Sequence, residues 1–115
     1  MDKILVIDDD DGILTCLSKM FSYLGYEVKV AHDGEEGIEL LKNDRRFKVV
    51  ITDISMPRKN GNQVAKYMRD AGEFHDTPIV ALTGNPDDAD RELFDSVLTK
   101  PFEMNDIVRM INTFS

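Results

Sequence analysis

The chain has 115 residues, of which 42% are hydrophobic, and its formal net charge is −8. This length and apolar content predict one domain with its own core and exclude intrinsic disorder over most of the chain. The negative charge disfavours direct binding to nucleic acid and to anionic membranes, because both would repel it. A single cysteine and a short N-terminal apolar run predict no internal disulfide, signal peptide or membrane span. We therefore expect a soluble cytoplasmic domain over residues 1–115.

Five short apolar runs, each rich in β-branched residues and bounded by polar or turn residues, predict β-strands. Three of the runs are continuously apolar, which is typical of central strands in a parallel sheet covered on both faces. In chain order the runs are 4–7, 28–31, 49–51, 79–82 and 97–98, and the continuous ones are the first, third and fourth.

Apolar residues at helical spacing occupy the intervals between these runs and follow the last one. In the first interval Cys16 lies one turn from Ile13 and Met20, so its thiol is expected to be buried. A fourth helix is expected after Asn85 and Pro86, because proline suits the first helical position. Five strands alternating with five helices predict an α/β fold with a doubly wound parallel sheet, since each parallel crossover needs a covering helix.

Chemically active side chains follow several of the predicted strands. Aspartates occupy 8–11 after the first strand, Asp53 ends the third, Thr83 ends the fourth, and Lys100 follows the fifth. Open sheets of this kind bind ligands beyond the carboxyl ends of their strands. Clustered aspartates repel one another unless a cation is present, and all-oxygen ligands suit Mg²⁺. A carboxylate nucleophile, a magnesium site, a hydroxyl and a phosphate-binding lysine together predict a phosphoryl-transfer site.

Four segments at these positions resemble the receiver domain of bacterial two-component response regulators. They are residues 4–10 (ILVIDDD), 51–61 (ITDISMPRKNG), Thr83-Gly84 and Lys100-Pro101-Phe102, and the similarity extends from Lys3 to about Thr113. The resemblance implies a flavodoxin-like sheet with strand order 2-1-3-4-5, flanked by five helices. It also implies a phosphoprotein that works in a phosphorelay, a signalling receiver and not an enzyme, with only slow self-dephosphorylation.

Carried over to this chain, the resemblance implies a phosphoacceptor and a metal site. Asp53 would take a phosphoryl group from a histidine kinase or phosphotransfer protein and become an aspartyl phosphate. Asp9, Asp53 and the backbone carbonyl of Ser55 would bind Mg²⁺ directly, and Asp8 would act through water.

The resemblance also implies residues that respond to the phosphoryl group. Lys100 and Thr83, with the adjacent Gly84, would bind its oxygens. Ser55 and Asn85 match variable positions that tune how long the aspartyl phosphate survives. The Lys100–Pro101 peptide bond would be cis.

One position departs from the family pattern. Receivers usually carry Tyr or Phe three residues before the lysine, whereas this chain carries Val97. The aromatic rotamer switch is therefore absent, and the coupling of Thr83 to the neighbouring face of the domain is expected to differ. The signal would pass by conformational change to an output domain or target protein that the sequence does not identify.

Two alternative functions fit parts of the sequence. The run that ends in Asp8, Asp9 and Asp10 also resembles the start of haloacid-dehalogenase-type phosphatases, in which Asp8 would be the nucleophile and Asp10 the acid. The departure at Val97 is compatible with a receiver-like module that binds partners without phosphorylation. The acylated residue separates the three hypotheses: Asp53 for a receiver, Asp8 for a phosphatase, and neither for a module.

Overall fold

Strands and helices alternate along residues 2–44 and 46–114, the part of the chain that the computed structural model describes. All five predicted strands are confirmed, and each extends one or two residues beyond its apolar run at one end or at both ends. The strands are β1 (Lys3–Ile7), β2 (Glu27–Ala31), β3 (Phe47–Asp53), β4 (Ile79–Thr83) and β5 (Ser96–Thr99). The helices are α1 (Asp11–Tyr23), α2 (Gly34–Asn43), α3 (Gly61–Ala71) and α4 (Met104–Thr113).

The strands form one parallel sheet in the order β2-β1-β3-β4-β5, as the resemblance implies. The register places Ile7 beside Thr52, and Asp53 beside Leu82. Because the strands are parallel and nearly in register, their carboxyl ends meet at one edge of the sheet. The residues that end or follow β1, β3, β4 and β5 therefore lie along that edge.

Helices cover both faces of the sheet, and each face has its own apolar core. Helices α1 and α4 pack on one face through side chains that include Leu17, Phe21 and Ile107, and α2 and α3 pack on the other. The prediction that Cys16 is buried is wrong, because its side chain is exposed. The buried stripe of α1 is formed by Leu14, Leu17 and Phe21, and Cys16 lies outside that stripe.

The predicted fourth helix is also wrong. Among the described residues, β4 and β5 are joined by a single 3-10 turn, Pro86–Asp88, and no α-helix. Pro86 does begin this turn, and the Asn85 side chain caps it by accepting from the Asp87 N–H at 3.1 Å. After the turn the backbone bonds to α3 and does not continue into i to i−4 hydrogen bonds.

Two side chains of α3 hold this connection. The Asn62 carboxamide donates to the Asp88 carbonyl at 3.0 Å and accepts from the Asp90 N–H at 2.9 Å. Arg69 donates to the Leu93 carbonyl at 3.3 Å and to the Asp95 carboxylate at 2.7 Å. The contacts to Asp88, Asp90 and Leu93 satisfy backbone groups that a helix would have satisfied internally. Within the described ranges, no helix is both long and apolar enough to cross a bilayer.

Candidate phosphoryl-acceptor and metal site

Three carboxylates meet at the carboxyl edge of the sheet. Asp8 and Asp9 follow β1, Asp53 ends β3, and each can contribute an oxygen so that the three oxygens lie within 4.8 Å of one another. Asp8 is fully buried, Asp53 is 8% exposed, and Asp9 is exposed. The structure thus brings together the three carboxylates that the family resemblance implies for the metal site.

Lys100 approaches the carboxylates from the end of β5. Its Nζ lies 3.1 Å from Asp8 Oδ2 and 3.5 Å from Asp53 Oδ1. Its backbone N–H donates to the Thr83 carbonyl at 2.8 Å, which ties the end of β5 to the end of β4. The Lys100–Pro101 bond is cis, as the resemblance implies.

Burial and charge act in opposite directions on these groups. Burial raises the pKa of Asp8 above 3.8, although the Asp10 N–H and Lys100 favour its ionised form. Burial, and secondly the charge of Asp8, raise the pKa of Asp53. Burial works against the charge of Lys100, but its contacts with Asp8 and Asp53 outweigh burial and raise its pKa. The site therefore holds more negative charge than one lysine compensates.

The hydrogen bonds of the carboxylates show whether the site suits a metal ion. Asp8 Oδ1 accepts from the Asp10 N–H at 2.9 Å, and Asp53 Oδ1 accepts from the Ile54 N–H at 2.9 Å. Among the described residues the buried Asp8 Oδ2 accepts no hydrogen bond, and it is paired with the Lys100 ammonium at 3.1 Å. Under-satisfied carboxylate oxygens are hard donors, and Mg²⁺ typically takes one or two carboxylates and keeps several waters. The donor set fits Mg²⁺.

The Thr83 hydroxyl lies at the end of β4 and is held within its own loop. It donates to the Asn85 carbonyl at 3.0 Å and accepts from the Asn85 N–H at 3.1 Å. Gly84, Asn85 and Ser55 are exposed, whereas Thr83 is 4% exposed. A phosphoryl group could therefore recruit this hydroxyl only if the turn at Thr83–Asn85 opened.

Val97 lies in a small apolar cluster beside this edge. It is partly buried against Ile54, Ala81 and Ala89, and Phe94 packs against the same cluster. Val97 therefore has a packing role, and the aromatic ring of Phe94 contributes to the same cluster. Phe94 was not singled out in the sequence, because the pattern drew attention only to position 97.

Two residues beside the site were missed entirely. Asp33 is 5% exposed at the start of α2, and Arg58 pairs with its carboxylate from the loop after β3. They are 25 positions apart in the chain. Nothing in the local sequence links two such residues, although Asp33 before a helical stretch is a recognisable N-cap.

The sequence is similar to those of known proteins. The chain matches the response regulator receiver domain family over residues 4–112. It is 36% identical over 116 residues to the transcriptional regulatory protein CpxR of Escherichia coli K12, which covers 96% of this chain and 48% of CpxR. The chain thus spans about half the length of this relative.

Solved structures of related proteins have the same fold. Response regulator TrrA from Thermotoga maritima, determined in complex with Mg²⁺ and BeF, has a TM-score of 0.90 and 28% identity, and the match covers 100% of both chains. The receiver domain of a sensor histidine kinase from Pseudomonas aeruginosa, with Mg²⁺ coordinated in its active-site cleft, has a TM-score of 0.89 and 25% identity over 98% of this chain and 96% of its own. The chain belongs to the response regulator receiver domain family, the phosphoryl-accepting signalling modules of two-component systems.

Proposed function

We propose that Asp53 accepts a phosphoryl group from the phosphohistidine of a histidine kinase or phosphotransfer protein, with Mg²⁺ bound beside it. The observation that carries the proposal is the environment of the Asp53 carboxylate. It lies beside Asp8, Asp9 and Lys100, its side chain is 11% exposed, and its Oδ2 accepts no hydrogen bond from residues 2–44 or 46–114. An oxygen free of hydrogen bonds in a partly open site is suited to act as a nucleophile.

In this proposal each side chain has a defined task. Asp53 Oδ2 forms a bond to phosphorus while the phosphorus–nitrogen bond of the donor breaks and its electron pair returns to the imidazole. Asp9, Asp53 and the Ser55 carbonyl would hold the ion, and Asp8 would contribute through water. Mg²⁺, when bound, neutralises charge that develops on the phosphoryl oxygens. Lys100 adds a second positive charge on the same oxygens.

The burial of the two candidate nucleophiles argues against the phosphatase alternative. The Asp8 side chain is fully buried, one of its oxygens binds the Asp10 N–H, and the other faces Lys100. An incoming phosphoryl group would have to displace these contacts to reach Asp8. Asp53 Oδ1 is also engaged, by the Ile54 N–H and Lys100, but its Oδ2 accepts no hydrogen bond from the described residues, so a phosphoryl group can reach that oxygen without displacing one. We assign only slow self-dephosphorylation to Asp53, with the exposed Ser55 and Asn85 setting access of water.

Chemical trapping tests the proposal. Acetyl phosphate with Mg²⁺ is expected to phosphorylate the wild-type chain at one residue, and borohydride reduction followed by peptide mass analysis should place the mark on Asp53. Asp53→Asn should abolish the mark, whereas Asp10→Asn, which removes a nearby exposed carboxylate, should retain it. A mark on Asp8, or labelling that survives in Asp53→Asn, would contradict the proposal.

The response to the phosphoryl group is expected to concentrate in the loop 84–88. A phosphoryl group adds roughly −1.5 to −2 charge and new acceptor oxygens, which should draw Thr83 away from Asn85. Val97 has a stiff χ1 and no ring to reorient, so it should change little. Amide chemical shifts with and without beryllofluoride and Mg²⁺ measure this difference. Large shifts at Val97 with an unchanged 84–88 loop would show that the coupling runs through β5.

The domain would pass its state to an output domain or a separate target protein. The net charge of −8 disfavours direct contact between this domain and nucleic acid, because phosphate backbones carry the same sign of charge.

A further inference from the structure

Arg58 adopts a backbone conformation that is unfavourable for a residue other than glycine. Its φ is +66°, in the left-handed region that residues with a Cβ rarely occupy. It lies in the loop of residues 54–60, which joins Asp53 at the end of β3 to the start of α3. A residue held in this region requires surrounding contacts that fix it there.

The contacts that hold Arg58 come from the start of α2. Its Nη2 donates to Asp33 Oδ2, and its Nε lies 3.6 Å from Glu35 Oε2. The other oxygen of Asp33 accepts from the Glu36 N–H at 2.8 Å and caps the helix. The Asp33 side chain is only 8% exposed, whereas the Arg58 side chain is 61% exposed, so water screens the pair on the arginine side and much less on the carboxylate side.

A backbone hydrogen bond next to Arg58 also joins the 54–60 loop to the start of α2. The Gly34 N–H donates to the Lys59 carbonyl at 3.1 Å, and a Cβ at Gly34 would lie 2.1 Å from that oxygen. At the far end of the loop the Gly61 N–H donates to the Ile54 carbonyl at 2.9 Å. The loop is therefore closed at its base by Gly61 and attached to α2 by residues 58 and 59.

We propose that Arg58 is a positioning residue, whose ion pair with Asp33 holds the 54–60 loop so that Asp53 and the Ser55 carbonyl face a common ion. This inference rests on the proposed phosphoryl-acceptor function and adds the start of α2 to the support of the site. Ser55 is exposed and three residues from Arg58, so no core packing of its own side chain fixes its carbonyl. Ile54, on one side of Ser55, is held by the Gly61 N–H. On the other side the loop is held by the Arg58–Asp33 ion pair and by the adjacent hydrogen bond between the Gly34 N–H and the Lys59 carbonyl.

The guanidinium is suited to this role. Its planar array of donors has a fixed geometry, so contacts with Asp33 and Glu35 define the direction of the side chain as well as its charge. An ammonium at the same position would keep the attraction and lose the directional hydrogen bonds. Lysine should therefore replace arginine only in part.

Magnesium affinity, measured by amide chemical shifts during a MgCl2 titration, tests the inference without relying on phosphorylation. Arg58→Ala is expected to weaken Mg²⁺ binding by about tenfold, the lower end of what loss of a group that orients metal ligands costs. Arg58→Lys should fall between Arg58→Ala and the wild type. Lys59→Ala, which removes a neighbouring exposed cation, is the matched control and should keep wild-type affinity.

Two further variants separate positioning from backbone strain and from the helix cap. Arg58→Gly accommodates the positive φ but lacks the ion pair, so it should bind Mg²⁺ as weakly as Arg58→Ala. Asp33→Asn preserves an N-cap side chain and loses the charge, so it should also weaken binding. Combining Arg58→Ala with Asp33→Asn should cause no further loss, because both changes remove one interaction.

The outcomes are distinct. Wild-type affinity in a folded Arg58→Ala or Arg58→Gly variant would overturn the inference, as would additive losses in the double variant. If Arg58→Ala does not fold, as judged by circular dichroism, Arg58→Lys and Asp33→Asn decide the question. A wild-type chain that binds no Mg²⁺ and carries no mark on Asp53 would overturn the proposed function itself, whereas a functional wild type with unaffected variants overturns only the role of Arg58.

Discussion

Magnesium chloride is expected to raise the melting temperature of the wild-type chain, and Asp9→Asn is expected to remove most of that rise. Asp8, Asp9 and Asp53 place their oxygens within 4.8 Å of one another, and Lys100 alone does not balance their charge. An ion that binds the folded state and not the unfolded chain stabilises it by about 2.7 kcal/mol at one hundred times Kd, and by less at lower saturation.

Thermal unfolding over a series of MgCl2 concentrations measures this effect. Asp10→Asn is the matched control, because Asp10 lies in the same acidic run but caps α1 through the Gly12 N–H at 2.8 Å. Asparagine caps a helix as well as aspartate, so this variant should keep the full magnesium response. A full response in Asp9→Asn would show that the ion binds elsewhere.

Asp53→Asn is expected to stabilise the metal-free chain at neutral pH. Burial and the nearby charge of Asp8 raise the folded-state pKa of Asp53 above 3.8, so the folded protein retains a proton that the unfolded chain has released. The free energy of unfolding therefore falls as pH rises from about 3.8 through the raised pKa. Asparagine has no charge to lose or gain over this range, so it removes this decrease in the free energy of unfolding, and its side-chain oxygen can still accept from the Ile54 N–H.

The gain should be on the order of 1–2 kcal/mol at pH 7, since like charges about 4 Å apart repel by roughly 1 kcal/mol in water and roughly 4 kcal/mol near a protein surface. Losing the Asp53–Lys100 contact offsets part of it. Urea unfolding of both chains in EDTA at pH 7 and near pH 3.5 measures the difference, which should shrink at the lower pH. Excess Mg²⁺ should reduce or reverse it, because the wild type binds the ion more strongly. A destabilised variant at pH 7 without metal would show that the lysine contact dominates.

The wrong predictions share a physical cause with the residues that were missed. The interval after Asn85 begins with a good helix-starting proline, yet the Asn62 and Arg69 side chains of α3 bind its backbone and hold it as a turn and loop. Cys16 has helical spacing from apolar residues, but α1 packs on the sheet through the face that carries Leu17. Cys16 lies outside that face and is exposed. Neither the contacts of α3 with this loop nor the packing of α1 on the sheet can be predicted from the spacing of residues within one segment.

The residues alone predicted the five strands, the parallel α/β class and the placement of residues 8–11, Asp53 and Lys100 at one edge of the sheet, whereas the roles of the individual carboxylates were implied by the family resemblance. This placement was predictable because continuous apolar runs are typical of buried parallel strands, and side chains that follow such strands converge on one edge. Asp8, Asp53 and Lys100 were predictable for this reason, although their separation along the chain is large.

Tertiary structure decided which of these groups are buried, and what supports them. The pattern of consecutive aspartates does not distinguish Asp8, which is fully buried, from Asp9, which is exposed. The pairing of Arg58 with Asp33 likewise joins residues 25 positions apart, each of which looks ordinary in its own segment. Burial and long-range ion pairs depend on how helices and loops pack around the sheet, so they arise only when the whole domain is folded.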